Sequence, residues 1–175
     1  GQKIEPVHYL PVIPMLLVNG GSGIGTGWST TITSFNPLEI IQQLHNRLDN
    51  KPLYRMKPWY RDFKGTIEPI QGTTKFAVTG VYTWSSANTI VITELPVGTW
   101  TNTYKETIER CMDGYGAFKK GDIVSIQANH TDTTVLFKVK MSSDCAQKLR
   151  ANGLIKAFKL QSTLDIGNMH AFGAN

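Results

Sequence analysis

Cysteine is scarce. Cys111 and Cys145 are the only two, and their separation fits no metal-ligand spacing. Both fall inside helical patterns, which reads as small reduced side chains of an intracellular protein rather than a disulfide framework. Long apolar runs are missing too. The longest, LPVIPMLLV at 10–18, has nine residues with two prolines, and no charged-then-apolar leader precedes it. A soluble protein with no membrane partner is expected. Lysine is absent between Lys3 and Lys51, so no P-loop Gly-Lys-Ser/Thr can occur there. His8, His45, His130 and His170 lie far apart, and there is no His-Glu-x-x-His, no Gly-x-Ser-x-Gly and no clustered carboxylate pair. A self-contained hydrolase built on the scattered histidines has no constellation to support it. We assign neither catalytic residues nor a metal site.

What is present is an ordinary globular composition in 175 residues, 41% of them hydrophobic, enough for one core or for one domain plus part of a second. The formal charge of +5 favours a polyanionic partner such as nucleic acid. Most of that charge sits in 51–64, where Lys51, Arg55, Lys57, Arg61 and Lys64 face Asp62 alone. Further basic pairs are Lys119/Lys120 and Lys138/Lys140, the latter on one face of a strand. A chain that starts on Gly1 and ends HAFGAN is expected to be a piece of something longer.

Prolines 6, 11 and 14 exclude a regular helix over 1–18 and predict an extended segment. Asn36 as N-cap, Pro37 in the first turn and Glu39 open an amphipathic helix over 37–49, with Leu38, Ile41, Leu44 and Leu48 as its apolar stripe. The basic 51–64 stretch reads as a surface loop. TKFAVTGVY and NTIVITEL read as a hairpin joined through TWSSA, and a helix follows, capped by Thr99 or Thr101, with Tyr104, Ile108 and Cys111/Met112 on one stripe. DIVSIQA and TTVLFKVKM are two more strands. In the second, Val135, Phe137, Val139 and Met141 alternate with Leu136, Lys138 and Lys140, the mark of a sheet wet on one face. A short helix over 143–152 ends at Gly153, and an extended tail closes the chain. This order predicts an α+β fold, an antiparallel or mixed sheet flanked by helices.

The stretch GGSGIGTGW, 20–28, contains five glycines but no dinucleotide fingerprint. Its alternating Gly23, Gly25 and Gly27 permit close approach of main chain to a partner and leave Ile24 without local cover. On pattern alone Ile24 is equally a core side chain beneath a glycine turn. Trp59, Tyr60, Trp84, Trp100 and Tyr104 could stack on bases, although packing over a sheet is the commoner use of such rings. HTDTT at 130–134 offers oxygen and nitrogen ligands, but a polar turn between strands is the simpler reading.

YLPVIPMLLVNGGSGIGTGWSTTI, NPLEIIQQLHNRL, FKGTI, VITELPVGTWTNTYKE, HTDTTVLFKVKM and FKLQSTLDIGNM, in this order across nearly the whole chain, resemble eukaryotic-type DNA topoisomerase II, a type IIA enzyme. Bacterial gyrase A-type subunits are more distantly similar. The resemblance implies the end of a winged-helix domain at 1–20 and a tower domain at 21–175, together an arm of a DNA gate. It implies a homodimer that binds double-stranded DNA, cuts both strands through paired tyrosines, passes a second duplex and reseals, using ATP and Mg²⁺. The nucleophilic tyrosine, the ATPase and the acidic metal-binding domain would lie outside this segment, so Tyr9 and Tyr54 are not nucleophiles, no cofactor is expected in this fragment, and the fragment alone should cleave nothing. The nucleus is the implied location, with a viral replication site or DNA-containing organelle as alternatives. A stand-alone α+β nucleic-acid-binding module remains the rival.

By the same resemblance, Ile24 wedges between base pairs and helps to bend the duplex. Gly23 and Gly25 let adjacent backbone approach DNA, and Lys159, Gln161, Ser162, Thr163 and Asn168 of KLQSTLDIGN contact it. Trp28 is expected to anchor the loop in protein, and Leu160, Leu164 and Ile166 to face the core. The basic 51–64 loop departs from the family pattern, and no DNA role is assigned to it.

Overall fold

A computed structural model describes residues 1–7, 10–129, 131, 134–151 and 153–173. The chain divides into two compact units, Gly1–Arg61 with Asp165–Asn175, and Asp62–Leu164. Each is taken by itself.

In the first unit the described residues before Pro14 are irregular, and a short helix α1 (Met15–Asn19) begins after it. The exclusion of helix over 1–18 therefore fails after Pro14, because a proline at the N-cap removes only a donor that has no intrahelical partner anyway. Gly20 (φ 69) turns the chain into β1 (Gly21–Gly25), which pairs antiparallel with β2 (Trp28–Ile32). Any Cβ at Gly20 would sit 2.7 Å from the Ile32 carbonyl oxygen, so both conformation and space demand glycine.

Helix α2 (Pro37–Leu48) starts as expected: the Asn36 side chain accepts from the Leu38 amide at 3.0 Å, with Pro37 in the first turn. Its expected stripe is not a buried one. Ile40 is the buried residue of this helix, whereas Leu38 and Leu48 are 74% and 78% exposed and Ile41 and Leu44 lie at the surface. The helical spacing was right. The small unit simply buries the Ile40 side, along with Ile32 and Phe35. Beyond α2 the basic loop is pinned at its end: Phe35 bridges Pro58, the Trp59 amide donates to the Ser34 carbonyl at 2.8 Å, and the Tyr60 and Thr33 hydroxyls bond at 2.8 Å. Trp59 and Tyr60 are thus partly buried and used for packing.

The second unit carries β3 (Thr66–Pro69), β4 (Lys75–Thr79), β5 (Val81–Ser86), β6 (Thr89–Glu94), α3 (Thr101–Met112), β7 (Ile123–Ala128), β8 (Phe137–Met141), α4 (Ser143–Ala151), α5 (Leu154–Ala157) and most of β9 (Gln161–Asp165). A three-stranded sheet runs β3-β4-β9 and a four-stranded one runs β5-β6-β8-β7, with β5/β6, β6/β8 and β7/β8 antiparallel. The α+β expectation holds. TKFAVTGVY, read as one strand, is two strands in different sheets. The break falls at Gly80, where a side chain would collide with the Glu94 carbonyl and whose amide donates to the Leu160 carbonyl at 2.9 Å. The hairpin turn is correspondingly tight, because β5 continues through TWSS to Ser86. Helix α3 starts at Thr101 with Trp100 at the cap and no side-chain cap bond, so neither Thr99 nor Thr101 plays that part.

The core lies between the four-stranded sheet and its helices. Ile90, Ile92, Phe137, Val139 and Met141 of β6 and β8 meet Tyr104, Ile108 and Cys111 of α3, with Leu154, Phe158 and Leu160 following α4. Lys138 and Lys140 point to the wet face as the alternation requires. Tyr104 packs edge-on to Phe137 at 5.5 Å, and its hydroxyl donates to the Phe158 carbonyl at 2.8 Å. Burial of that hydroxyl pushes its ionisation well above the usual phenol range. Cys111 and Cys145 are buried and free, their thiols pushed up chiefly by burial.

Candidate nucleic-acid interface

The register of β1 and β2 sorts the glycine stretch into two faces. Gly21, Gly23 and Gly25 stand opposite Ile32, Thr30 and Trp28, and because cross-strand partners share a face, three side chains there overlook three bare glycines. Ile24 is on the other face with Ser22, Ser29 and Thr31. Its only large apolar group is Ile24, which is 94% exposed. Of the two readings the pattern allowed, burial of Ile24 in this chain's core is excluded.

The turn is made by Thr26 and Gly27, the latter at φ 77, a conformation that requires glycine. Gly23 and Gly25 are different. Neither has a positive φ, and an added Cβ would meet only Thr30 Cγ2 at 3.7 Å or the Trp28 carbonyl at 3.9 Å, ordinary contacts. Nothing inside the chain forbids a side chain at either position. Trp28 does not anchor the loop: it is 81% exposed, because the glycines opposite it offer no side chains to cover the ring.

What holds the hairpin is the segment after β9. The Thr31 amide donates to the Asn168 carbonyl at 2.8 Å, the Asn168 amide group donates to the Ser29 hydroxyl at 3.1 Å, and the Thr30 hydroxyl exchanges 2.9 Å bonds with both the carbonyl and the amide of His170. Asn168, an expected DNA contact, also braces the hairpin through these bonds. Residues 170–172 and the hairpin enclose a shallow cleft of ≈ 630 Å³ onto which Ile24, Trp28 and Phe172 open. That bracing function left no local sequence signal, since its partners are about 140 residues apart.

Gly23, Ile24, Gly25 and Asn168 fall in the first unit, whereas Lys159, Gln161, Ser162 and Thr163 fall in the second. Lys159 is exposed, at φ 50, with its ammonium 5.3 Å from the Tyr115 ring centroid. Leu160 is fully buried, while Leu164 and Ile166 are partly so. Strand alternation in β9 puts exposed Gln161 and Thr163 on one face and half-buried Ser162 on the other. The Gln161 side chain donates to the Thr79 hydroxyl at 3.0 Å. Lys51 of the basic loop pairs with Asp49 at 2.9 Å. His8, Tyr9, His130 and Asp132 lie outside the described residues. Among the described residues, no group of three or more His, Cys, Asp or Glu could hold a metal ion, and no helix is long and apolar enough to cross a membrane.

The hairpin is thus a braced two-stranded element that presents one exposed aliphatic side chain, Ile24, between two glycines. The family model for the A-type subunits of DNA gyrase/topoisomerase IV matches residues 1–175, and the chain belongs to that family. It is similar to the DNA topoisomerase 2 of Bombyx mori, 45% identical over 174 residues (99% of this chain, 11% of the relative). The DNA topoisomerase 2 of Drosophila melanogaster is 42% identical over 177 residues (100% and 12%), and the human DNA topoisomerase 2-beta 42% identical over 172 (98% and 10%). A solved Plasmodium falciparum topoisomerase II DNA-binding, cleavage and re-ligation domain matches with a TM-score of 0.84 at 41% identity, covering 96% of this chain and 22% of that one. The chain is thus a fragment of a type IIA topoisomerase, and it spans only 11–12% of the first of these relatives.

Proposed function

We propose that this chain is the DNA-binding and DNA-bending part of the DNA gate of an ATP-dependent type IIA topoisomerase, an enzyme that passes one duplex through a transient double-strand break in another. Residues 1–20 are the end of its winged-helix domain and 21–175 its tower, with the compact unit Asp62–Leu164 as the tower's body. The parent works as a homodimer in the nucleus, and its nucleophilic tyrosine lies on another segment. ATP and Mg²⁺ are assigned by this reading to other segments of the parent.

The observation that carries this reading is Ile24, 94% exposed on a hairpin whose neighbouring glycines are not required by the chain itself. Inserted between base pairs, the side chain would regain about 1.5–3 kcal/mol of apolar burial. Unstacking a step costs a few kcal/mol and bending a short site about 1–6 kcal/mol, so the remainder has to come from the additional surface that a bent duplex touches. Specificity then follows deformability, with pyrimidine–purine steps preferred. Lys159 supplies a phosphate contact, Gln161 and Thr163 polar contacts on the same strand face, and the backbone at Gly23 and Gly25 close approach. Ser162 and Asn168 contribute through position. The test is 2-aminopurine placed at the candidate step, with the full-length protein added: insertion unstacks the base and raises its fluorescence, and Ile24→Ala should abolish the rise. A rise that persists in the variant removes Ile24 from the role.

A further inference from the structure

A second cleft, of ≈ 410 Å³, opens in the unit Asp62–Leu164 between α3 and the α4–α5 region. Its bed is apolar, formed by Ile108, Cys111, Leu149, Ala157 and Phe158. Tyr115 forms a wall and Lys156 and Lys159 stand at the rim, whereas no carboxylate among the described residues lines it. Arg110 lies 4.1 Å and Lys159 5.3 Å from the centroid of the Tyr115 ring, so two cations stack on one aromatic ring. Among the described residues none of these three cations has an acidic partner within ion-pair distance. Lys159 reaches the ring from a left-handed backbone conformation (φ 50), uncommon outside glycine, held between buried Phe158 and Leu160. The Cys111 thiol, donating to the Thr107 carbonyl at 3.1 Å, feels this charge: Lys159 and Arg110 both oppose the upward push that burial gives it.

We propose that this cleft binds a small amphipathic anion, a flat aromatic body of one or two rings carrying a carboxylate or sulfonate. The volume falls within the range of small-molecule sites, roughly 300–1,000 Å³, and the combination of apolar bed and a few convergent polar groups is their usual make-up. The rings lie over Ile108, Leu149 and Phe158. The anionic group meets Lys156 and Lys159, neither of which has an acidic partner within ion-pair distance among the described residues. A neutral ligand of the same shape would gain the burial without the ion pairing.

Cys111 reports occupancy from inside the cleft, and Cys145, also buried but outside it, is the internal control. In the full-length polypeptide, without DNA, N-ethylmaleimide labelling of each thiol is followed by peptide mass spectrometry with 2-naphthoate or neutral 2-naphthamide present. At roughly ten times its dissociation constant, 2-naphthoate should slow labelling of Cys111 about tenfold, since only the free fraction reacts, and leave Cys145 unchanged. The amide should protect far less, and the double variant Lys156→Gln/Lys159→Gln should lose the preference for the anion while labelling at Cys145 as before. Saturation-transfer NMR to the naphthoate ring provides a second reading that needs no reactive thiol. Absence of transfer and of protection, equal protection by acid and amide, or protection of both cysteines alike would each overturn the proposal.

Discussion

The two kinds of glycine in the hairpin make a prediction whose sign differs from one position to the next. At Gly20 an alanine would have to adopt φ 69 and place its Cβ 2.7 Å from the Ile32 carbonyl. With ψ at −175 this positive-φ extended conformation is essentially restricted to glycine and alone costs about 1–3 kcal/mol for an L-residue, and the collision adds to it. At Gly25 there is no positive φ and the nearest atom stands at 3.9 Å, so Gly25→Ala should be neutral or should stabilise by about 0.4–1 kcal/mol through a less disordered unfolded chain. The two variants should differ by about 2 kcal/mol, which at a urea dependence of about 1–3 kcal/mol per molar separates their unfolding midpoints by about 1 M. If Gly25 is bare because DNA approaches it, Gly25→Val folds as well as the parent yet binds duplex about tenfold more weakly, close to 1.4 kcal/mol. Urea denaturation and DNA-binding anisotropy on the same preparations read both quantities. Equal destabilisation by Gly20→Ala and Gly25→Ala, or unchanged DNA affinity in Gly25→Val, would refute the reasoning.

Tyr104→Phe should cost about 1–3 kcal/mol in chemical denaturation, because it leaves the buried Phe158 carbonyl without its donor at 2.8 Å. Cys111 and Cys145 have folded-state pKa values raised above their unfolded ones, so their contribution is fully present below the ordinary thiol range near 8.5 and is lost as pH rises. Above that value stability should fall by up to about 1.4 kcal/mol per pH unit for each thiol, and replacing both with serine should flatten this limb of the profile. Lys159→Ala should reduce the slope of log K against log salt for DNA binding by about 0.9, one phosphate's worth, in a titration from low to moderate salt. An unaltered slope would place Lys159 off the DNA.

Much of the fold was legible because it rests on local rules. The Asn36–Pro37 start of α2 is dictated by orphan amide groups, and the β8 alternation of Phe137, Val139 and Met141 with lysines is dictated by the pleat. Other features depend on distant partners. The break at Gly80 exists because the Glu94 carbonyl approaches it, the four-residue α5 is too short to show a period, and the exposed stripe of α2 has the right spacing but no partner within its unit to cover it. At the hairpin, the glycine spacing marks Ile24 without deciding between core and surface, and Trp28 stays exposed rather than anchoring the loop because the glycines opposite its ring offer nothing to cover it. Asn168 was noticed for its chemistry but not for its place beside β2, which only the long-range pairing supplies.

The wedge is tested most directly by the end-to-end distance of a short duplex carrying a donor and an acceptor dye, bound to the full-length protein with Ile24 intact or replaced by alanine. Insertion of the exposed side chain predicts a shortened distance with isoleucine and a longer, straighter duplex with alanine at equal saturation. The same shortening in both proteins would contradict it.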